Sequence, residues 1–288
     1  MSKTQKITSI GFPIFFILAV AGLCIFVVGM RNAIAVSAID DEFHWNSHEA
    51  NQEGALTAPA SNNDDTPPIL VEMFLSQSCS SCVPAARYVT DLSERKDVVV
   101  LSWHVDYWDD LVVFRHGKWK DPYSSRDYTS RQRNYRLNIP TGRIYTPQAV
   151  VHGSFEDVGS RTSAIEPLIS RAKNVAAKSD PRSKLNLTHE NDQLTVSLNG
   201  IPSNGGKHEA NLVFFHRNTQ TSILGGENAG HDWRETNVVK GLRPFGIDGK
   251  QFKTSLSADE IDADTGCAII VQERRLGRVV AASYCPIL

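Results

Sequence analysis

Two cysteines separated by two residues, Cys79-Ser80-Ser81-Cys82, constrain this chain more than any other feature. They follow a short apolar run, Ile69-Leu70-Val71-Glu72-Met73-Phe74-Leu75, and open a helical stretch reaching about Glu94. Val98-Val99-Val100-Leu101-Ser102-Trp103 then reads as a second buried strand. Strand, helix, strand is a βαβ unit, so the two strands are expected to run parallel. A sulfur at a helix N-terminus meets unpaired backbone N–H groups and the positive end of the helix dipole. Both favour the thiolate, which is the nucleophilic form. Cys79 is therefore the expected attacking sulfur, and Cys82 the one that resolves a mixed disulfide. Pro84 is tolerated if it falls in the first helical turn. A structural disulfide or half of a zinc site would use the same spacing. Zinc needs two further ligands, and no second close Cys or His pair is present.

The rest of the chain divides around that centre. An uncharged apolar run over residues 10–30 follows Lys3 and Lys6, and its length suits a membrane-spanning helix. Residues 1–38 are read as a signal-anchor, with a cleaved signal peptide as the alternative. The body is then expected outside the cytoplasm, anchored to the inner membrane, or free in the periplasm if the leader is removed. Disulfides form in such a compartment. Residues 39–68 are polar, lack either structural period and end in Pro67-Pro68, so they read as a disordered linker. The chain has 30 basic and 32 acidic residues and no long basic run interleaved with aromatics, so nucleic acid is not an expected partner. Further helices are expected over 128–138 and 162–177, and a hairpin from strands over 148–151 and 155–158. After Asp180-Pro181-Arg182 the pattern turns to strands over 184–188, 193–198, 210–217, 251–256, 267–272 and 278–285. Residues 183–288 are read as an antiparallel β-sandwich domain. Cys267 and Cys285 flank a turn centred near residue 276, which places them opposite each other and predicts a structural disulfide.

Other side chains are candidates for the site. Tyr145-Thr146-Pro147 precedes the third strand. A cis bond before Pro147 would shape a groove beside the cysteines, with the Thr146 backbone available to an extended substrate, whereas a trans proline would simply open an edge strand. His104 and Asp106 follow the second parallel strand. The carboxyl end of that strand shares a rim with the start of the helix, so His104 is expected to tune protons near Cys79 with Asp106 orienting its ring. A buried structural His–Asp pair is the alternative. Tyr107 and Trp108, with Trp119, are expected to wall the substrate site. Glu227, Asn228 and His231 lie in a glycine-rich loop that lacks a Walker lysine and is either a plain connection or part of the cleft.

Taken together, Val71-Glu72-Met73-Phe74, Ser76-Gln77-Ser78-Cys79-Ser80-Ser81-Cys82, His104-Val105-Asp106-Tyr107-Trp108-Asp109, Trp119-Lys120-Asp121-Pro122, Arg131-Gln132-Arg133 and Tyr145-Thr146-Pro147-Gln148 resemble a bacterial exported thioredoxin-like family, catalogued as domain of unknown function 1223. The likeness extends over about residues 69–288 and includes Gly226-Glu227-Asn228-Ala229-Gly230 and Thr236-Asn237-Val238-Val239. It implies a thioredoxin-like α/β domain over 69–180 and the cysteine pair, but no established reaction. The chain departs from the family pattern at Val83-Pro84, where Pro-Pro is expected, and in an enlarged stretch over 111–118. The resulting expectation is a thiol–disulfide oxidoreductase of the cell envelope. It would act on exported protein thiols or disulfides, exchange electrons with a separate redox partner, and need neither a metal nor an organic cofactor. Two other readings use the same residues. One is a copper chaperone holding a soft ion with Cys79, Cys82 and His104, although the chain has only three methionines. The other is a catalytically silent scaffold whose β domain binds a partner.

Overall fold

The computed structural model describes residues 67–140, 143–179, 183–200, 207–247, 249–257 and 260–286. The apolar span expected over residues 10–30, the leader and nearly all of the linker lie outside these. Among the described residues no helix is long and apolar enough to cross a membrane.

β1 (Ile69–Leu75) is buried along its whole length. Alternate side chains enter different cores: Ile69, Val71, Met73 and Leu75 on one face, Leu70 and Phe74 on the other. The chain then makes a 3₁₀ turn (Ser80–Cys82) and enters α1 (Val83–Ser93), with Pro84 in its first turn. The missing N–H of Pro84 costs nothing there, because early helical N–H groups have no intrahelical acceptor. β2 (Val98–His104) returns parallel to β1 in the expected βαβ order, Ile69 opposite Val98 through Leu75 opposite His104. α2 (Arg126–Tyr135) is N-capped by the Ser125 hydroxyl, which accepts from the Asp127 N–H. β3 (Gln148–Val151) runs antiparallel to β1, and β4 (Phe155–Val158) closes the expected hairpin. α3 (Thr162–Ser179) packs Ile165, Ile169, Ala172 and Ala176 beside α1 on one face of the sheet.

Among the described residues seven strands follow: β5 (Lys184–Glu190), β6 (Gln193–Asn199), β7 (His208–Ser222), β8 (Asp232–Gly246), β9 (Gln251–Ser255), β10 (Thr265–Glu273) and β11 (Val279–Tyr284). They overturn the expected fold class. A thioredoxin-like α/β domain joined to a separate antiparallel sandwich is not what forms. The main sheet is mixed and eight-stranded, in the order β11-β10-β7-β8-β2-β1-β3-β4, with a three-stranded sheet β5-β6-β9 beside it. The physical cause is β8, a strand that the local sequence pattern does not predict. It pairs antiparallel with β7 along most of its length and meets β2 in parallel at Ser102 opposite Val238. That junction makes the strands of both halves one sheet.

Three cores result. α1 and α3 cover one face of β1–β3. On the opposite face, Phe74, Trp103 and Tyr135 pack with Val213, Ile270 and Val279 from the later strands. The third core lies between the two sheets, where Leu194, Val196 and Leu198 meet Leu212, Ile269 and Val271. A buried ion pair crosses the second core: Arg131 Nε donates to Glu72 at 2.6 Å and Arg131 Nη2 to Gln272 at 3.1 Å. The same guanidinium lies 4.9 Å from the Trp103 ring, and Tyr135 donates to the second Glu72 oxygen. Every charge in this cluster is compensated, as burial requires.

Candidate active site

Leu75 ends β1, and Ser76, Gln77 and Ser78 continue it as a buried turn. The turn is stitched by Cys79 N–H to Ser76 O (3.1 Å), Cys82 N–H to Cys79 O (3.1 Å) and Ser78 N–H to Ser76 Oγ (3.1 Å). Cys79 and Cys82 are both free thiols, and both are buried. The two sulfurs are tuned in opposite directions. Cys82 donates a hydrogen bond to Cys79, which lowers the Cys79 thiol to about 7 against the opposing effect of burial; the Ser81 hydroxyl, 3.2 Å away, helps. Burial, reinforced by that hydrogen bond, pushes the Cys82 thiol well above its ordinary range. Near neutrality the pair therefore holds one proton close to being lost and one firmly kept.

The Thr146–Pro147 peptide is cis, and Thr146 O lies 3.9 Å from Cys79 Sγ. Thr146 is itself held: Trp108 Nε1 donates to its hydroxyl at 2.7 Å, and Gln132 Nε2 donates to Tyr145 O at 2.8 Å. Tyr107 is close enough to Cys79 and Cys82 for their charges to raise its phenol, although burial is the larger cause of the rise to about 12. Gln132 and Thr146 oppose that rise through hydrogen bonding to the buried phenol. The structure thus gathers Cys79, Cys82, Thr146, Pro147, Tyr107 and Trp108 in one place.

His104 and Asp106 do not form the expected pair. Asp106 turns to α2, accepting from the Thr129 hydroxyl, whose oxygen in turn accepts the Asp106 N–H at 3.0 Å. His104 is fully buried between two other carboxylates, with Nδ1 2.7 Å from Asp121 and Nε2 2.9 Å from Glu235. Burial opposes its charge, but Asp121 and Glu235 overcome that and push the imidazolium up to about 10. A histidine held charged at neutral pH, with both nitrogens engaged, neither shuttles protons nor offers a lone pair to a metal. The copper reading loses its third ligand for this reason. Among the described residues no group of three or more His, Cys, Asp or Glu side chains is arranged to hold a metal.

Asp121 and Glu235 were not identified from the sequence. Asp121 sits in Trp119-Lys120-Asp121-Pro122, and its Oδ2 also accepts the Gln77 N–H at 2.8 Å. Glu235 lies two residues after the buried Trp233, whose indole donates to it at 2.7 Å. A carboxylate in register with an inward tryptophan was the available signal.

The loop between β7 and β8 completes the rim. Asn228 Nδ2 donates to Gln77 O at 2.8 Å and Cys79 O at 3.0 Å, and Glu227 accepts from the Ser80 N–H at 2.8 Å and hydroxyl at 2.7 Å. His231 contributes backbone bonds, its N–H to Asn228 O and its carbonyl accepting from the Ile223 N–H. Gly226 has φ +73°, and a Cβ there would meet Ser78 and Trp119 at 3.1–3.2 Å. The stretch over 111–118 forms a tight turn, with Val113 bridged to Gly117, and carries the exposed side chains of Val112 and Phe114. Cys267 and Cys285 are disulfide-bonded on β10 and at the end of β11, as their spacing predicts. They lie in the core between the sheets and serve structure there.

The fold is a mixed sheet bearing a turn with two free cysteines beside a cis-proline loop. The chain belongs to the family described as "Protein of unknown function (DUF1223)", whose pattern matches residues 70–272. A crystal structure of a protein from Agrobacterium tumefaciens, solved as a structural-genomics target, is similar in fold. It shares 24% identity and a TM-score of 0.63, over 79% of this chain and 96% of that one. No curated protein matches the chain.

Proposed function

We propose that the chain is a thiol–disulfide oxidoreductase of the cell envelope, acting on exported protein thiols or disulfides through Cys79 and Cys82. The placement of two free cysteines in one turn at a helix entrance, with Thr146 O of the cis-Pro147 loop 3.9 Å from Cys79 Sγ, carries this reading, and the opposed tuning of the two sulfurs supports it. In the reducing direction, Cys79 thiolate attacks one sulfur of a substrate disulfide. A Cys79–substrate disulfide forms, and the other substrate sulfur leaves as a thiolate. Cys82 then attacks Cys79, its proton passing to the departing substrate sulfur. The substrate disulfide has gained two electrons, and Cys79–Cys82 is oxidised. A separate dithiol partner restores the pair, and the reverse sequence oxidises substrate thiols.

Cys79 has no exposed surface, whereas Ser80 and Ser81 are exposed. A substrate sulfur therefore reaches Cys79 only as the rim around Ser81 and Thr146 opens. Anchoring of the body at the outer face of the inner membrane through residues 10–30 belongs to the same proposal. The test is trapping. Cys82→Ser should accumulate mixed disulfides with exported proteins, Cys79→Ser should accumulate none, and wild type should accelerate insulin reduction by dithiothreitol. Absence of both trapping and turnover would remove the enzymatic reading.

A further inference from the structure

Building on the thiol–disulfide reading, we propose that Glu227 is a positioning residue that biases the Cys79–Cys82 pair toward its disulfide form. One oxygen of its carboxylate takes both the Ser80 N–H at 2.8 Å and the Ser80 hydroxyl at 2.7 Å. Ser80 is the first residue of the 3₁₀ turn that Cys79 caps. Its N–H belongs to the set of helix-entry donors that stabilise a thiolate when left free to face it. Here that donor is committed to a carboxylate, and the carboxylate adds negative charge beside the residue following the sulfur. Like charge disfavours ionisation of a neighbouring acid. Forming the Cys79–Cys82 disulfide removes the thiolate and relieves the repulsion, so Glu227 favours the oxidised pair.

The placement of Glu227 is built rather than incidental. Its own N–H reaches Ser78 O at 3.3 Å, and the buried Asn228 fastens the same loop to Gln77 O and Cys79 O. Gly225 lets the loop lie flat: a Cβ there would meet Lys118 O at 2.2 Å. The loop comes from the β7–β8 ribbon, more than a hundred residues downstream of the cysteines. This later half of the chain therefore sets the chemistry of the dithiol turn.

The experiment compares full-length wild type with Glu227→Gln and Glu227→Ala in glutathione buffers, together with the pH dependence of Cys79 alkylation and thermal unfolding. Gln keeps an acceptor for the Ser80 N–H while removing the charge. We expect Glu227→Gln to shift the equilibrium toward the dithiol by about threefold, or roughly 14 mV on a scale of 29.6 mV per tenfold change. The alkylation midpoint should fall with it, and the difference from wild type should shrink in about 1 M salt, where charges are screened. An unshifted equilibrium and midpoint in the Gln variant, a shift in the opposite direction, or a salt-independent shift accompanied by lost stability overturns the proposal. A wild type that forms no disulfide overturns the exchange reading and this proposal with it. A wild type that exchanges normally beside an unshifted Gln variant overturns this proposal alone.

Discussion

Asp121 Oδ2 accepts the Gln77 backbone N–H at 2.8 Å, two residues before Cys79. The same oxygen lies 2.7 Å from His104, so one carboxylate joins the dithiol turn to a buried imidazolium. Glu235 still compensates the imidazolium when Asp121 is neutralised, so what is lost is charge-assisted hydrogen bonding to His104 and Gln77, worth about 1.5–3 kcal/mol. Asp121→Asn should lose stability of that order in urea unfolding. A loss under about 1 kcal/mol would show that the clamp contributes little.

The clamp also gives a pH dependence. His104 is raised from 6.5 unfolded to about 10 folded, so the folded state binds the extra proton. Its contribution is complete below the unfolded value and disappears as pH rises through about 10. Unfolding free energy should decline between pH 7 and pH 10 in wild type and much less in His104→Gln. A flat wild-type profile across that window contradicts the assignment.

The unequal sulfurs predict an unequal reaction with iodoacetamide. The reduced protein should label first at Cys79 with a midpoint near 7, while Cys82 stays unmodified well above that pH. Peptide mapping after partial labelling reads both sites. Equal labelling, or labelling of Cys82 first, would remove the assignment of roles.

Trp108 holds Thr146 through one 2.7 Å hydrogen bond next to Cys79. Trp108→Phe keeps the apolar wall and deletes the donor, so stability should fall by about 1 kcal/mol. Insulin reduction should slow severalfold while the Cys79 alkylation midpoint stays in place. Unchanged turnover would show that the Thr146 hydroxyl needs no such support.

The Cys267–Cys285 bond spans 18 residues of sequence and joins the strands of one hairpin. Closing a loop of this size in the unfolded chain stabilises the fold by about 3 kcal/mol. Cys267→Ala with Cys285→Ala should lose about that much and leave Cys79 alkylation unaffected. A stability unchanged by the double substitution would assign the bond no thermodynamic role.

What local chemistry dictates was readable along the chain. Ile69–Leu75 and Val98–His104 are mostly apolar on both faces because both faces are buried, and their βαβ spacing makes them parallel. The cysteine pair and the pairing of Cys267 with Cys285 follow from spacing, whereas the cis bond at Pro147 is an expectation carried by the family resemblance, with a trans proline equally compatible with the local sequence. The partners of His104 do not. Asp106, two residues away, was the near choice, yet the imidazole meets Asp121 and Glu235 from 17 and 131 residues away. The sheet order escaped sequence reasoning for the same reason. β8 carries Arg234, Glu235, Lys240, Arg243 and Pro244, a pattern that announces no buried strand. Only pairing with β7 and β2 makes it one. Periodicity and motif spacing record what a segment needs within a few residues of itself. Which distant strand edge and which distant carboxylate meet those needs is settled when the whole chain closes and every buried donor must find an acceptor.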